Sequence, residues 1–131
     1  MRGPIPAFLL VTAAAAVLAG CAHPNLAGLE GNALDTSYGL RDRREAKQHI
    51  RVATAVPAGA EVMGDFSTQR CHQYATNQPP SEATLRDDLV LLAYAEGADG
   101  LTDVRIAQQS GLLQNCWYVV RATATFFRLP K

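Results

Sequence analysis

Neither sign of charge predominates in these 131 residues, because 12 Lys and Arg balance 12 Asp and Glu. Phosphate affinity comes mainly from a surplus of basic side chains, so a nucleic-acid partner is excluded from the expectations. The chain is too short for two catalytic domains, and its composition, 48% apolar and 18% charged, suits one small globular domain. It has no internal repeat. Cysteine is scarce and odd in number, at Cys21, Cys71 and Cys116, so one of the three has a task different from the other two. No run is apolar enough for long enough to be read as a spanning helix, which needs about 20 residues.

The longest apolar run, Ala7 to Leu18, follows a single positive charge at Arg2 and precedes the small residues Ala19 and Gly20. That layout is a secretory signal over residues 1–20, whose apolar region needs only about 7 to 15 residues. The junction Leu18-Ala19-Gly20-Cys21 looks like the lipobox of bacterial lipoproteins, in which the cysteine thiol is diacylated and becomes the mature N-terminus. Several acyl chains at Cys21 would hold the protein almost permanently, since each buried methylene adds about 0.8 kcal/mol. Ala22, rather than Asp, follows the lipidated cysteine, which in such lipoproteins points to the outer membrane. Without Arg2 the mature chain has 11 basic and 12 acidic side chains, a net charge of −1.

Residues 21–48 form the expected lipidated N-terminus and tether. Gly28, Gly31 and Gly39 interrupt a stretch in which Leu26, Leu29, Leu34 and Leu40 keep no sustained period. A flexible coil of this length spans roughly 30 Å, and full extension reaches about 90 Å. Arg41, Arg43, Arg44 and Lys47 make a basic knot, but Asp42 and Glu45 break it, so it is read as solvated or locally helical rather than as an anion site. His23 is read as a solvated tether residue.

From about residue 49 the period changes to two. Ile50, Val52, Thr54 and Val56 alternate with Arg51, Ala53 and Ala55 until Pro57. A second strand places Val62 and Phe66 on one side and Glu61, Met63 and Asp65 on the other, with Gly59 in a hairpin between the two. After Pro79 and Pro80, Ser81 stands at a helix N-cap position, and the helix is expected from about Glu82 to Glu96. Glu82, Asp87 and Asp88 lie in its first two turns, where the macrodipole favours negative charge, and Gly97 supplies the left-handed stop. Leu85, Leu89, Leu92 and Ala93 form an apolar stripe, widened by Val90, Leu91, Tyr94 and Ala95.

Two further strands follow. Thr102, Val104 and Ile106 share one face against Asp103 and Arg105, and Tyr118, Val120, Ala122, Ala124 and Phe126 form an inward row against Arg121, Thr123 and Thr125. The expected fold class is α+β in ββαββ order, one central helix packed on a small four-stranded, mainly antiparallel sheet over residues 49–131.

An exported domain meets an oxidising compartment, so Cys71 and Cys116 are expected as a disulfide. Two sharper readings compete with it. Cys71 beside His72 would be a nucleophile, but no CxxC partner, oriented base or oxyanion donor accompanies it. Cys71, His72, Cys116 and His49 would suit zinc or copper, but no ligand spacing supports the set. No enzyme activity and no cofactor is therefore expected.

Cys71, seven residues, then Pro79-Pro80-Ser81, followed by Thr84 and Arg86, resembles the RcsF family of outer-membrane lipoproteins of the Rcs envelope-stress phosphorelay. The likeness continues through the helix into Gly97-Ala98-Asp99, a strand, and Cys116 beside Trp117 and Tyr118. Lipobox and tether precede the domain in the same order. The resemblance implies a lipid anchor at Cys21, a structural Cys71–Cys116 bond, and a domain that reports envelope damage. It also implies partners: the outer-membrane assembly machinery, barrel proteins and an inner-membrane signalling regulator. The chain departs from that family in having two domain cysteines rather than four, with none near Ile106 or Arg121. A metal or small-ligand binding envelope module and a structural envelope lipoprotein are the alternatives.

Overall fold

The computed structural model describes residues 38–131 apart from Asn77. The signal segment, Cys21, His23 and the tether up to residue 37 lie outside the described residues.

The elements run in the order α1 (Leu40–His49), β1 (Arg51–Val52), β2 (Glu61–His72), α2 (Glu82–Ala95), β3 (Gly100–Ser110) and β4 (Tyr118–Arg128), with a 3-10 turn at Leu112–Gln114 between the last two strands. Four strands form one sheet in the order β1-β3-β4-β2. β4 pairs antiparallel with both β2 and β3, while β1 pairs parallel with β3, so the sheet is mixed. The α+β class and the four strands are as expected. Two helices stand where one was expected.

The additional helix corrects the tether reading of residues 40–48. Its local signals are Asp42, whose carboxylate accepts from the Gly39 N–H at 2.8 Å, and the i,i+4 pair Arg41–Glu45 at 3.2 Å. Ala46 is its buried residue, and Ile50 immediately after it joins the core.

The expected β1–β2 hairpin does not form either. Alternation from Ile50 to Val56 yields only two strand residues, and these pair with Gly100 and Leu101 instead of with β2. Two bulges also change which side chains face the core. A register shift between Val62 and Gly64 turns Met63 toward the core and leaves Val62 exposed, the reverse of the alternation read from the sequence. A second shift, between Thr102 and Arg105, carries Asp103 at φ 53. Leu101, Val104 and Ile106 pack on the core, and Thr102 lies opposite Thr125 on the other face.

The core lies between α2 and the sheet. Leu85, Leu89 and Ala93 of α2 meet Val120, Ala122, Ala124 and Phe126 of β4, the row anticipated from the sequence, together with Leu101, Ala98 and Ile50. Phe66 stacks on Phe126 with centroids 4.4 Å apart. Ser81 caps α2, its side chain accepting from Thr84 N at 3.1 Å. The α2 helix ends at Ala95, and Gly97 at φ 70 makes the turn into β3 that only glycine adopts without steric cost.

Candidate functional site: the disulfide-closed end

Cys71 is the penultimate residue of β2 and Cys116 the second residue before β4, where the strand pairing brings Cys71 opposite Val119. The two sulfurs are bonded, with Cα atoms 5.7 Å apart and a sequence separation of 45. The bond ties the loop that follows β2 to the connection between β3 and β4. A backbone hydrogen bond reinforces it, Trp117 N donating to His72 O at 2.8 Å. Gly111 is required here because a Cβ on it would come within 2.5 Å of the Cys116 Cβ.

The arrangement decides between the readings of these cysteines. In the oxidised bond Cys71 has no thiolate to act as a nucleophile, and neither sulfur is available as a thiolate ligand. The His72 ring is buried and stacked on Tyr118 at 4.8 Å, while His49 lies at the end of α1 with Nδ1 2.8 Å from the Glu45 carbonyl. Among the described residues no group of three or more His, Cys, Asp or Glu is placed to hold a metal ion. Arg70 and Cys71 at the end of β2 and Gln78, Pro79, Pro80, Ser81 and Thr84 border an open cleft of about 270 Å³ beside the disulfide.

Large apolar side chains are left in solvent around this end. Leu112 and Leu113 on the 3-10 turn, Trp117 next to the disulfide and Tyr74 on the facing loop are all exposed. Gln73, Leu112, Asn115, Cys116 and Trp117 line a shallow depression between the loops. Sequence reasoning used Trp117 only as part of a resemblance and passed over Leu112 and Leu113. The available signal was the lack of any Asp, Glu, Lys or Arg from Ile106 to Val120.

Charge is concentrated elsewhere. Asp88 of α2 is fully buried and accepts two bonds from Arg70 of β2, Nε at 2.6 Å and Nη2 at 2.8 Å, with Arg43 of α1 3.9 Å away. Lys47 pairs with Asp87 at 2.7 Å, and Tyr94 donates to Glu45 at 3.0 Å. The basic knot thus docks α1 onto α2. The Tyr94 hydrogen bond, followed by that from Arg41, holds the Glu45 carboxyl below its usual range, and the Glu45 bond in turn pushes the Tyr94 phenol up. On the sheet face opposite α2, Asp65 accepts from the Thr125 hydroxyl at 2.6 Å and from Arg105 at 3.2 Å, while Arg121 donates to Gln69 at 2.8 Å.

No helix among the described residues is long and apolar enough to cross a membrane. The chain matches no protein-family model and no curated protein.

Proposed function

We propose that this chain is a lipid-anchored envelope protein of RcsF-like type, which senses envelope stress and relays it to a phosphorelay by contact with other proteins. The observation that carries the reading is the Cys71–Cys116 disulfide, set at one end of a small α+β domain that follows a lipobox in the sequence. An oxidised pair belongs to an exported protein. Cys21 is the acylation site, and the outer membrane is the location. The disulfide gives a fixed shape to loops that would otherwise move independently, as a contact module needs and an enzyme lacking a nucleophile does not use. The polar sheet face carrying Asp65, Arg105 and Arg121 has the mixed-charge character of a transient protein interface.

Candidate partners are the outer-membrane assembly machinery, barrel proteins and an inner-membrane regulator. The test is deletion of the gene followed by outer-membrane damage, with an envelope-stress reporter as readout. Blunted induction, restored by the wild-type chain, is expected; an unchanged response overturns the sensor role. A metal-binding module is the weaker alternative, because the disulfide withholds both candidate thiolates.

A further inference from the structure

Tyr74, Leu112, Leu113 and Trp117 are 58, 81, 103 and 68% exposed, and all four lie on the two loops joined by the disulfide. Exposed leucines scattered singly are ordinary, but a cluster on adjacent loops marks a contact surface. No Asp, Glu, Lys or Arg occurs from Cys71 through Ser81 or from Ile106 through Val120, so the two loops carry none of these charges, and Arg70 at the edge of the neighbouring cleft is turned to Asp88. The backbone N–H groups that follow the two leucines are paired within the end. Gln114 N and Cys116 N both donate to Gly111 O at 2.9 Å, Asn115 N to Leu112 O at 3.4 Å, and Trp117 N to His72 O at 2.8 Å. Each N–H paired within the end lowers the cost of taking the segment out of water.

These features define the chemistry of the occupant. A surface without charged side chains offers nothing to a phosphate cluster or a charged peptide. Its leucines project rather than line a deep groove, and its Trp and Tyr have the apolar body and polar tip suited to a headgroup boundary. A protein groove would also accept leucines, but protein interfaces draw specificity from a polar, charged rim, which this end lacks. We infer that the disulfide-closed end inserts Leu112 and Leu113 into the hydrocarbon edge of an uncharged or zwitterionic lipid leaflet, with Trp117 and Tyr74 at headgroup level. The geometry is compatible with the anchor proposed above, on which the choice of leaflet rests. Residues 22–39 extend to about 60 Å, whereas β4 is only about 36 Å long, so anchor and tip can engage the same leaflet.

Trp117 is the sole tryptophan, so its fluorescence reports on the tip alone. The mature chain, beginning at position 21 with Cys21→Ala and so free of both the apolar signal segment and the acyl chains, should show blue-shifted emission when mixed with phosphatidylcholine vesicles. Brominated acyl chains should quench it, and high salt should leave it unchanged. Replacing both leucines, Leu112→Gln with Leu113→Gln, should lower vesicle partitioning on the order of 100-fold. Blocked thiols and an unchanged circular dichroism spectrum would certify that this variant is folded. Emission indifferent to vesicles overturns the inference, as does a shift that survives the double substitution. Emission indifferent to vesicles combined with a protein crosslink from position 113 assigns the end to a protein groove. Palmitate labelling of the wild-type chain tests the anchor separately, because a vesicle response without palmitate would remove only the anchor.

Discussion

Asp88 is the residue on which the charge network turns. Its carboxylate is buried beneath the partly buried Arg70 and near Arg43, so its removal takes away the charged acceptor that holds β2 against α2. Asp88→Ala should destabilise the domain by about 2–3 kcal/mol in urea denaturation, the scale of lost charge-assisted hydrogen bonds. Asp87→Ala should cost less than about 1 kcal/mol, because its pair with Lys47 is half exposed. Adjacent residues in sequence, alike in charge, thus differ several-fold in consequence. The difference was not legible beforehand: both were read as acids favoured by the helix dipole, because pairing with Arg70 depends on how β2 crosses α2. Ser81 was legible, since a cap is a local hydrogen bond between residues three apart. The cysteine pair was legible for another reason. Compartment and count left only one bond to make, and a sequence separation of 45 was no obstacle to naming it.

At the scale of elements, local helicity around Arg41–Lys47 was legible as an alternative, but the docking of α1 on α2 was hidden from pattern reading. The α1 helix buries little, and what fixes it are partners on α2. Its docking should therefore depend on pH. The Glu45 carboxyl is depressed, so its contribution is present above the ordinary glutamate value and is lost as pH falls through the lower folded value. The Tyr94 phenol is raised, so its contribution is present below the ordinary tyrosine value and is lost as pH rises through the higher folded value. Amide exchange of Leu40–His49 should be slowest at neutral pH and, after correction for intrinsic rates, faster at both extremes. Glu45→Gln should remove the acid limb; exchange in α1 independent of pH would contradict this coupling. The strands give the complementary lesson. Alternation located β2, β3 and β4, but bulges at Val62/Gly64 and Thr102/Arg105 reversed faces within them. The partner of β1 lies some fifty residues away at Gly100 and Leu101, and nothing local distinguishes that pairing from a hairpin.

For the whole molecule, the disulfide closes a 45-residue loop, worth about 4 kcal/mol in the chain-entropy account. The double substitution Cys71→Ala with Cys116→Ala should lower stability by about that amount. It should also speed exchange at Trp117 and Tyr118 while leaving α2 protected below the unfolding transition. Ala at position 111 should have a related but local effect, because its Cβ would press on the Cys116 Cβ and carbonyl oxygen. The position of α2, the location of β2, β3 and β4 and the bond between loops were readable in the residues, whereas α1 as an element and the partner of β1 were not. The charge-free tip was overlooked because it is defined by side chains that are missing.

The most direct measurement is the intact mass of the protein recovered from the membrane fraction of its own cells under non-reducing conditions. The expected mass is that of a chain beginning at Cys21, carrying a diacylglyceryl group and an acylated amine, and short of two hydrogens for the Cys71–Cys116 bond. A chain without acyl groups, recovered in the soluble fraction with two free thiols, would contradict the account.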